Sequence, residues 1–317
     1  ELAVQSLGKH RIIADGAEIV ARSPDIVIGS WCGKKFRPEK VAARAGWQDV
    51  PAVKNGQLFE IKSADILQPG PAALTDGVEQ MHRIVVSWMK QYGVDGVFMQ
   101  RFFGVARNHK NTNKPQDIIL RNALQSAKEN NRAIAVMYDL SGLKATDEDC
   151  SAIIEDWKML VDQLKITNQG DHQPYLYHNN KPLVAIWGVG FPDRPYDTRK
   201  IGINRLIDFL KNDPQYGGCA IMLGVPTYFR ELNKDCLPDP YLHEIIKSVD
   251  IVMPWMVQRF TPLVHNIGAH LRDHMIADIA WTKKYHLDYV PVVTPGFSWQ
   301  PEQWQWLLQG YNEQLSR

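Results

Sequence analysis

The sequence predicts an α/β protein with a parallel sheet of the (β/α)8-barrel type. From about residue 94, apolar runs of strand length recur, and an amphipathic stretch of helical length follows each of them. No low-complexity linker interrupts this pattern. Continuous apolar strands that alternate with helices are typical of a parallel sheet covered on both faces. Because crossovers between parallel strands are right-handed, a barrel and an open doubly wound sheet are the main alternatives.

The pattern predicts six strands in this part of the chain, with helices between them. The strands are Asp95–Phe102, Ala133–Leu140, Pro182–Val189, Cys219–Val225, Asp250–Met256 and Tyr289–Thr294. The helices are Gln116–Asn130, Cys150–Leu164, Ile203–Lys211, Pro240–Ser248 and Ala269–Tyr285. A last helix is expected within residues 300–317, beginning near Pro301.

The first 85 residues alternate in a similar way, in shorter elements. Helices are predicted at Asp15–Arg22 and Pro38–Ala45, strands at Pro24–Ser30 and Gln57–Ile61, and one long helix at Thr75–Tyr92. Six strands and these two make the eight that a closed (β/α)8 barrel requires. The count suggests that the two N-terminal strands close the barrel.

The composition argues against several classes of protein. The 36 basic and 35 acidic residues leave a net charge of +1, whereas a nucleic-acid binder normally has a basic excess. The longest apolar runs are too short to cross a membrane, and we expect no signal peptide in this sequence. Neither a metal-ligand spacing among the four cysteines nor a dinucleotide fingerprint occurs, so we expect no metal and no cofactor. Buried free thiols are the favoured state of the cysteines, and one disulfide is the alternative.

Seven motifs resemble, in collinear order, glycoside hydrolase family 99, the endo-α-mannosidases and endo-α-mannanases. They are residues 88–102 (WMKQYGVDGVFMQRF), 136–142 (VMYDLSG), 177–184 (YHNNKPLV), 187–191 (WGVGF), 222–230 (MLGVPTYFR), 254–255 (PW) and 295–299 (PGFSW). The resemblance covers about two-thirds of the chain. It implies a barrel and a ligand that contains α-mannose.

The opening of the chain resembles a different family. Residues 24–33 (PDIVIGSWCG), 37–44 (RPEKVAAR), 46–56 (GWQDVPAVKNG) and 67–71 (LQPGP) are similar to the C-terminal lobe of periplasmic binding proteins that serve cobalamin and iron-chelate ABC importers. No counterpart of that family's N-terminal lobe is found. Both resemblances imply a soluble protein in the periplasm or outside the cell.

The two resemblances meet inside the single predicted helix Thr75–Tyr92. Natural domain boundaries favour exposed, flexible linkers instead. Our hypothesis is a chimera of engineered origin, in which the binding-protein fragment supplies strands that the barrel fragment lacks. Residues 1–85, residues 86–299 and the helix in 300–317 then form one merged domain.

Candidate binding residues lie where the predicted strands end, because function in a parallel barrel gathers at the C-terminal ends of its strands. Aromatic rings interleaved with guanidinium and amide donors suit a pyranose. Its apolar C–H faces can stack on the rings, and its hydroxyls can accept from the donors. The candidates are Gln100, Arg101, Tyr138, Trp187, Tyr228, Trp255, Arg259 and Trp299. The hydrolase resemblance implies that Tyr228 faces the substrate and that Trp187 and Trp255 form aromatic walls. The alternative is that the rings plug the barrel mouth or pack beneath helices.

Catalytic carboxylates are harder to find. Asp139 follows an apolar strand, and its alternative role is to cap the turn at Ser141 and Gly142. Glu231 follows Arg230, and its alternative role is that of a solvated ion-pair partner. The resemblance implies a Glu-x-x-Glu pair after the PGFSW motif, but no Glu-x-x-Glu occurs in the 317 residues.

Glycoside hydrolysis needs two carboxyl groups that flank the scissile bond. Loss of general acid assistance alone costs about 10²–10⁴-fold in rate. We therefore expect an inactive scaffold or a weak carbohydrate binder. The alternatives are an active endo-α-mannosidase that uses Asp139 and Glu231, and a cobalamin or iron-chelate binding module with contacts from Trp31, Trp47 and the loop 68–71. The sequence does not specify an oligomeric state.

Overall fold

The computed structural model of the chain describes residues 16–30, 35–66, 76–111, 114–144, 149–167, 174–257 and 267–293. The chain divides into two compact units. Unit 1 comprises residues 1–95 and 113–132, and unit 2 comprises residues 96–112 and 133–317. The division after Asp95 lies beyond the boundary at residue 85 that the two resemblances suggest. The predicted helix in 300–317 lies outside the described residues.

Unit 1 contains a sheet of two short parallel strands, β1 (Val27–Gly29) and β2 (Leu58–Glu60). A core of Trp47, Val50 and Ala52 packs against apolar side chains of both strands. The helices of this unit are Gly16–Arg22, Pro38–Ala42, Pro51–Lys54, Ser63–Ile66, Asp76–Gln91 and Pro115–Asn130, with a 3₁₀ turn at Trp47–Asp49.

The helix Asp76–Gln91 is continuous across the position where the two sequence resemblances meet. Gln80 donates a hydrogen bond to Asp65 at 2.7 Å, before that position. After it, Gln57 donates to Gln91, and Asn55 donates to the Tyr92 hydroxyl at 3.1 Å. Polar contacts therefore tie both halves of the helix to the N-terminal segment.

Unit 2 is built on a sheet of seven strands, numbered here β3 to β9. They are β3 (Gly96–Phe102), β4 (Ala133–Asp139), β5 (Tyr177–His178), β6 (Lys181–Trp187), β7 (Ala220–Pro226), β8 (Ile251–Trp255) and β9 (Asp288–Tyr289). Six of them are parallel in the order β3-β4-β6-β7-β8-β9, and β5 pairs antiparallel with β6. The helices of this unit are Phe103–Arg107, Ser151–Leu164, Ile203–Asn212, Tyr241–Lys247 and Ile267–Lys284.

The predicted α/β class with a parallel sheet is confirmed. Most predicted strands and helices begin and end within one or two residues of the observed ones. The last strand is shorter than predicted, although the Val290 amide still donates to the Val252 carbonyl at 2.9 Å. The sheet is not closed among the described residues. Within that part of the chain, β1 and β2 pair with each other and do not extend the large sheet.

The parallel sheet has two distinct faces because side chains alternate along each strand. One face, called here the core face, carries Leu183, Ala185, Ala220, Met222, Ile251 and Met253 in one apolar cluster. The opposite face, called here the helix face, lies under the helix Ser151–Leu164, whose Asp156 contacts two of its residues. Every described residue of β7 is buried, as expected for a strand covered on both sides.

No helix among the described residues combines enough length and hydrophobicity to cross a membrane. Three of the four cysteines, Cys150, Cys219 and Cys236, are buried free thiols, which confirms that prediction for them. Cys32 lies outside the described residues. Burial raises the pKa of each of the three thiols from 9.0 to about 12.

Because the pKa values of these thiols are raised, we expect the folded protein to lose stability in alkaline solution. In the unfolded chain they ionise near their ordinary pKa of 9.0, whereas in the folded protein they stay protonated up to about 12. Between these values the unfolded state binds fewer protons, so the free energy of unfolding falls as pH rises; below about pH 9 the thiols have no effect. Urea unfolding at about pH 8 and about pH 11 measures the difference.

A variant with Cys150, Cys219 and Cys236 all replaced by alanine is the control. We expect its stability to fall less over the same interval. Burial also raises the pKa of the Tyr177 hydroxyl to about 12, so part of the slope should remain. An identical slope in the variant and the parent chain would contradict the prediction.

Candidate functional site

The register of the parallel strands brings five residues into one line across the core face. Phe102 pairs with Asp139, Asp139 with Trp187, Trp187 with Gly224, and Gly224 with Met253. These five residues are called here the edge row. They lie at or close to the C-terminal ends of their strands, where a parallel α/β sheet presents its ligand site.

Asp139 is the carboxylate of the edge row, and both of its oxygens accept hydrogen bonds. Gln100 donates to Oδ2 at 2.5 Å, and the backbone N–H of Ser141 donates to Oδ1 at 2.7 Å. The bond from Ser141 caps the turn that follows β4. Asp139 is 3% exposed, whereas the Gln100 side chain is exposed. The capping role that the sequence allowed for Asp139 is therefore the one that its contacts show.

Aromatic rings lie beside Asp139 on the same row. Trp187 contacts Phe191 with ring centroids 4.9 Å apart, and it meets Trp255 edge to face at 5.7 Å. Phe191 is buried, whereas Trp187 and Trp255 are partly exposed. The Trp187 indole N–H is buried and has no hydrogen-bond partner within the described chain. The predicted aromatic walls Trp187 and Trp255 are thus brought together.

Arg194, which is not among the predicted site residues, joins the aromatic rings to the turn after Asp139. Its guanidinium lies over the ring of Trp187 at 4.9 Å and over that of Phe191 at 5.7 Å. Nη1 donates to the Ser141 hydroxyl at 3.0 Å. A signal was present, because Arg194 lies in the loop that follows β6, and such loops carry function in parallel α/β folds.

Arg101 and Tyr138 belong to a different environment from the one predicted. Arg101 is 2% exposed and forms a bidentate ion pair with Asp156, at 2.9 Å and 2.7 Å. The Tyr138 hydroxyl donates to the same carboxylate at 2.9 Å. Burial first, and then the Asp156 charge, raise the pKa of Tyr138 well above its ordinary value, so it stays protonated.

Arg101 and Tyr138 have this environment because successive side chains of a strand point to opposite faces of the sheet. Arg101 and Tyr138 are register partners on the helix face, whereas Gln100 and Asp139 project from the core face. Both side chains are buried beneath the helix Ser151–Leu164, where Asp156 engages them, and neither lies on the face that carries Asp139 and Trp187. The overlooked signal was Asp156 itself, an acidic residue among the buried Ile153, Trp157 and Leu160 of its helix.

Tyr228 is held in the loop that follows β7. The Asp235 carboxylate accepts from the backbone N–H groups of Thr227 and Tyr228, both at 3.1 Å. The Lys234 ammonium lies 3.9 Å from the centre of the Tyr228 ring, and the His274 ring meets it edge on at 5.0 Å. Tyr228 is 8% exposed, so only a small part of it is accessible.

Glu231, the second catalytic candidate, is paired with Arg230 at 2.8 Å and is about one-third exposed. Arg230 also pairs with the fully buried Asp278, whose other oxygen accepts from the Tyr289 hydroxyl at 3.2 Å. Burial raises the pKa of Asp278 above its ordinary value, although Arg230 and His274 lie beside it. The ion-pair alternative for Glu231 is therefore the arrangement that the structure shows.

Several candidates receive no structural account. Arg259 and Trp299, and also Trp31 and the loop 68–71, lie outside the described residues. Trp47, the remaining candidate contact for a corrinoid or iron chelate, is 5% exposed and packs in the core of unit 1. No group of three or more histidine, cysteine or acidic side chains in the described ranges is arranged to hold a metal.

The buried ion pair predicts a large and specific loss of stability. Replacement of Asp156 by alanine leaves the Arg101 guanidinium buried without its carboxylate, and we expect this to cost about 3–5 kcal/mol. Glu155→Ala is the matched control on the same helix, because the Glu155 pair with Lys158 is exposed and is worth about 0–1 kcal/mol. Urea denaturation of both variants measures the difference, and equal losses would contradict this assignment.

The fold and this site define an α/β protein with a parallel sheet and an aromatic, polar row at the carboxyl edge of that sheet. Residues 2–64 match the family described as "Periplasmic binding protein". No curated protein matches the sequence.

Among solved structures, the chain is similar to the GH99 endo-alpha-mannosidase from Bacteroides thetaiotaomicron. The identity is 13% over 71% of this chain and 57% of that chain, with a TM-score of 0.46. A second structure of that enzyme, in complex with BIS-TRIS propane, shows 12% identity over 69% of this chain and 58% of that one, with a TM-score of 0.44. These enzymes are of the family that the sequence motifs resemble, and the match over residues 2–64 confirms the resemblance of the N-terminal segment to periplasmic binding proteins. The chain spans less than two-thirds of the length of these enzymes.

Proposed function

We propose that unit 2 is a carbohydrate-binding scaffold of glycoside hydrolase type that holds an α-mannose-containing oligosaccharide and does not cleave it. The main support for this proposal comes from the hydrogen bonds of Asp139, which is the one carboxylate among the five residues of the edge row. Both of its oxygens are engaged, by Gln100 and by the turn at Ser141. A general acid must instead deliver a proton to the leaving oxygen.

Four other acidic side chains of unit 2 also have structural partners. Asp156 holds Arg101 and Tyr138, Asp278 holds Arg230 and Tyr289, and Asp235 holds two backbone N–H groups. Glu231 is paired with Arg230. Since retaining and inverting hydrolysis both need two carboxyl groups that face the scissile bond, this arrangement favours binding without turnover.

The rings and polar groups of the row favour a sugar as the ligand. The partly exposed rings of Trp187 and Trp255 offer apolar surface to pyranose C–H groups. The exposed Gln100 amide and the Arg194 guanidinium add polar groups that suit sugar hydroxyls. The α-mannosyl specificity rests on the family-99 motifs in the sequence, which include Trp187 and Trp255 themselves.

The same proposal covers the origin and location of the chain. The binding-protein match ends at residue 64, before the helix Asp76–Gln91, and the hydrolase-like motifs begin at residue 88, inside that helix. This supports a chimera of two families, and both of them favour the periplasm or the cell exterior.

We predict no release of product when the protein is incubated with an α-mannan oligosaccharide. The physical reason is that both oxygens of Asp139 accept hydrogen bonds from Gln100 and Ser141, and the edge row holds no second carboxylate. Mass spectrometry of the sugar pool measures turnover, with an active endo-α-mannosidase as the positive control. Release of shorter oligosaccharides would contradict the proposal. In that event, Asp139→Asn and Glu231→Gln test the pair that the sequence left open.

We predict weak binding of the same oligosaccharide, with a Kd on the order of 1 mM. Trp187→Leu keeps an apolar side chain but removes the aromatic face, and we expect it to weaken binding about tenfold, which is about 1.4 kcal/mol. The matched control is Trp281→Leu, because Trp281 packs against Phe229 and Tyr285 away from the edge row. Isothermal titration calorimetry measures both. Equal affinities for the two variants would contradict the proposed binding site.

A second candidate function concerns unit 1, because residues 2–64 match a periplasmic binding protein. A cobalamin titration followed by visible absorbance tests it. A saturable spectral change that persists in Trp187→Leu would support a corrinoid site in unit 1. The core position of Trp47 argues against a role for that ring as a ligand contact.

A further inference from the structure

Gly224 lies in the edge row between Trp187 and Met253, within a strand whose other described residues all carry side chains. Its register partners are Trp187 on β6 and Met253 on β8. A glycine inside a strand weakens the strand unless it makes room for something that approaches closely. Gly224 is not among the residues with a positive φ, so its backbone conformation does not require glycine.

Position 224 holds a glycine because there is no room for a larger side chain beside Trp187. A Cβ atom at position 224 would overlap Cδ1 of Trp187 and would lie 3.1 Å from Cγ of the same ring. It would also lie 3.3 Å from Cε of Met253. The indole of Trp187 therefore extends across β7 through the space that any other side chain would fill.

Other neighbours leave the ring little freedom to move aside. Phe191 lies at 4.9 Å with an interplanar angle of 33°, and Trp255 lies at 5.7 Å and 78°. The Arg194 guanidinium, which Ser141 anchors, lies over the ring at 4.9 Å. A methyl group at position 224 would thus have to tilt the indole within a tightly surrounded position.

We infer that Gly224 is a positioning residue for the ligand site: it sets the orientation of the Trp187 ring, and through that ring the surface offered to the sugar. This inference rests on the proposed function for its effect on binding. The effect on the ring itself does not depend on any ligand.

The test compares Gly224→Ala with Gly104→Ala in the whole chain. Gly104 belongs to the same unit, and a Cβ atom there would meet nothing within 4 Å. With 5-fluorotryptophan incorporated, the ¹⁹F resonance of Trp187 is assigned by its loss in Trp187→Leu. We expect this resonance to shift in Gly224→Ala and to stay in place in Gly104→Ala. An unshifted resonance in both variants overturns the inference.

Affinity for the α-mannan oligosaccharide is the second measurement. We expect Gly224→Ala to weaken binding about tenfold and Gly104→Ala to leave it unchanged. Equal affinity in Gly224→Ala and the parent chain overturns the role in binding. If the parent chain binds no sugar while the resonance still shifts, the proposed function fails and the positioning of the ring stands.

A double variant covers the case in which Gly224→Ala does not fold. Trp187→Ala removes the ring that the new methyl group would meet, so Gly224→Ala should lower the melting temperature in the parent chain but not further in the Trp187→Ala background. The same decrease in melting temperature in both backgrounds would show that glycine is needed at position 224 for a reason other than the Trp187 ring. That result would overturn the inference.

Discussion

The candidate site depends on the register between β4, β6 and β7. Parallel strands that pair Asp139 with Trp187, and Trp187 with Gly224, bring together a hydrogen-bonded carboxylate, an indole and the glycine that leaves room for that indole. A slip of one residue in any of these strands would turn its side chains to the opposite face, because the period of a strand is two. The Trp187 ring or the Asp139 carboxylate would then lie on the helix face and no longer in the edge row.

The opposite face shows how the same alternation separates chemistry from structure. Arg101 and Tyr138 follow or precede candidate site residues by one position, yet they meet Asp156 beneath the helix Ser151–Leu164. A buried charge of this kind is tolerated because it is paired in a bidentate geometry and its carboxylate accepts a further bond from Tyr138. The guanidinium groups of Arg101 and Arg194 therefore have different roles: that of Arg101 pairs with a buried helix residue, and that of Arg194 lies over two aromatic rings.

The division into units does not follow the boundary between the two sequence resemblances. The helix Asp76–Gln91 makes side-chain contacts with the N-terminal segment at both Gln80 and Gln91. Unit 1 also includes the helix Pro115–Asn130, which by its place in the chain is the crossover between β3 and β4. Residues from the hydrolase-like part of the sequence thus complete a unit that begins in the binding-protein-like part.

The sequence by itself determined the class of fold, the position of most strands and of the longer helices in the described ranges, and the lack of a Glu-x-x-Glu pair. These properties are local, because periodicity, helix stops and the presence of a motif are decided within short windows. It also predicted that Trp187, Trp255, Gln100 and Asp139 lie at strand ends. Only the tertiary structure decided that Arg101 and Tyr138 lie on the opposite face from Asp139, that β1 and β2 pair with each other, and that Arg194 and Gly224 lie against the Trp187 ring. Those outcomes depend on which distant residues meet across strands and layers, and such contacts between remote parts of the chain leave no periodic signal in a single sequence.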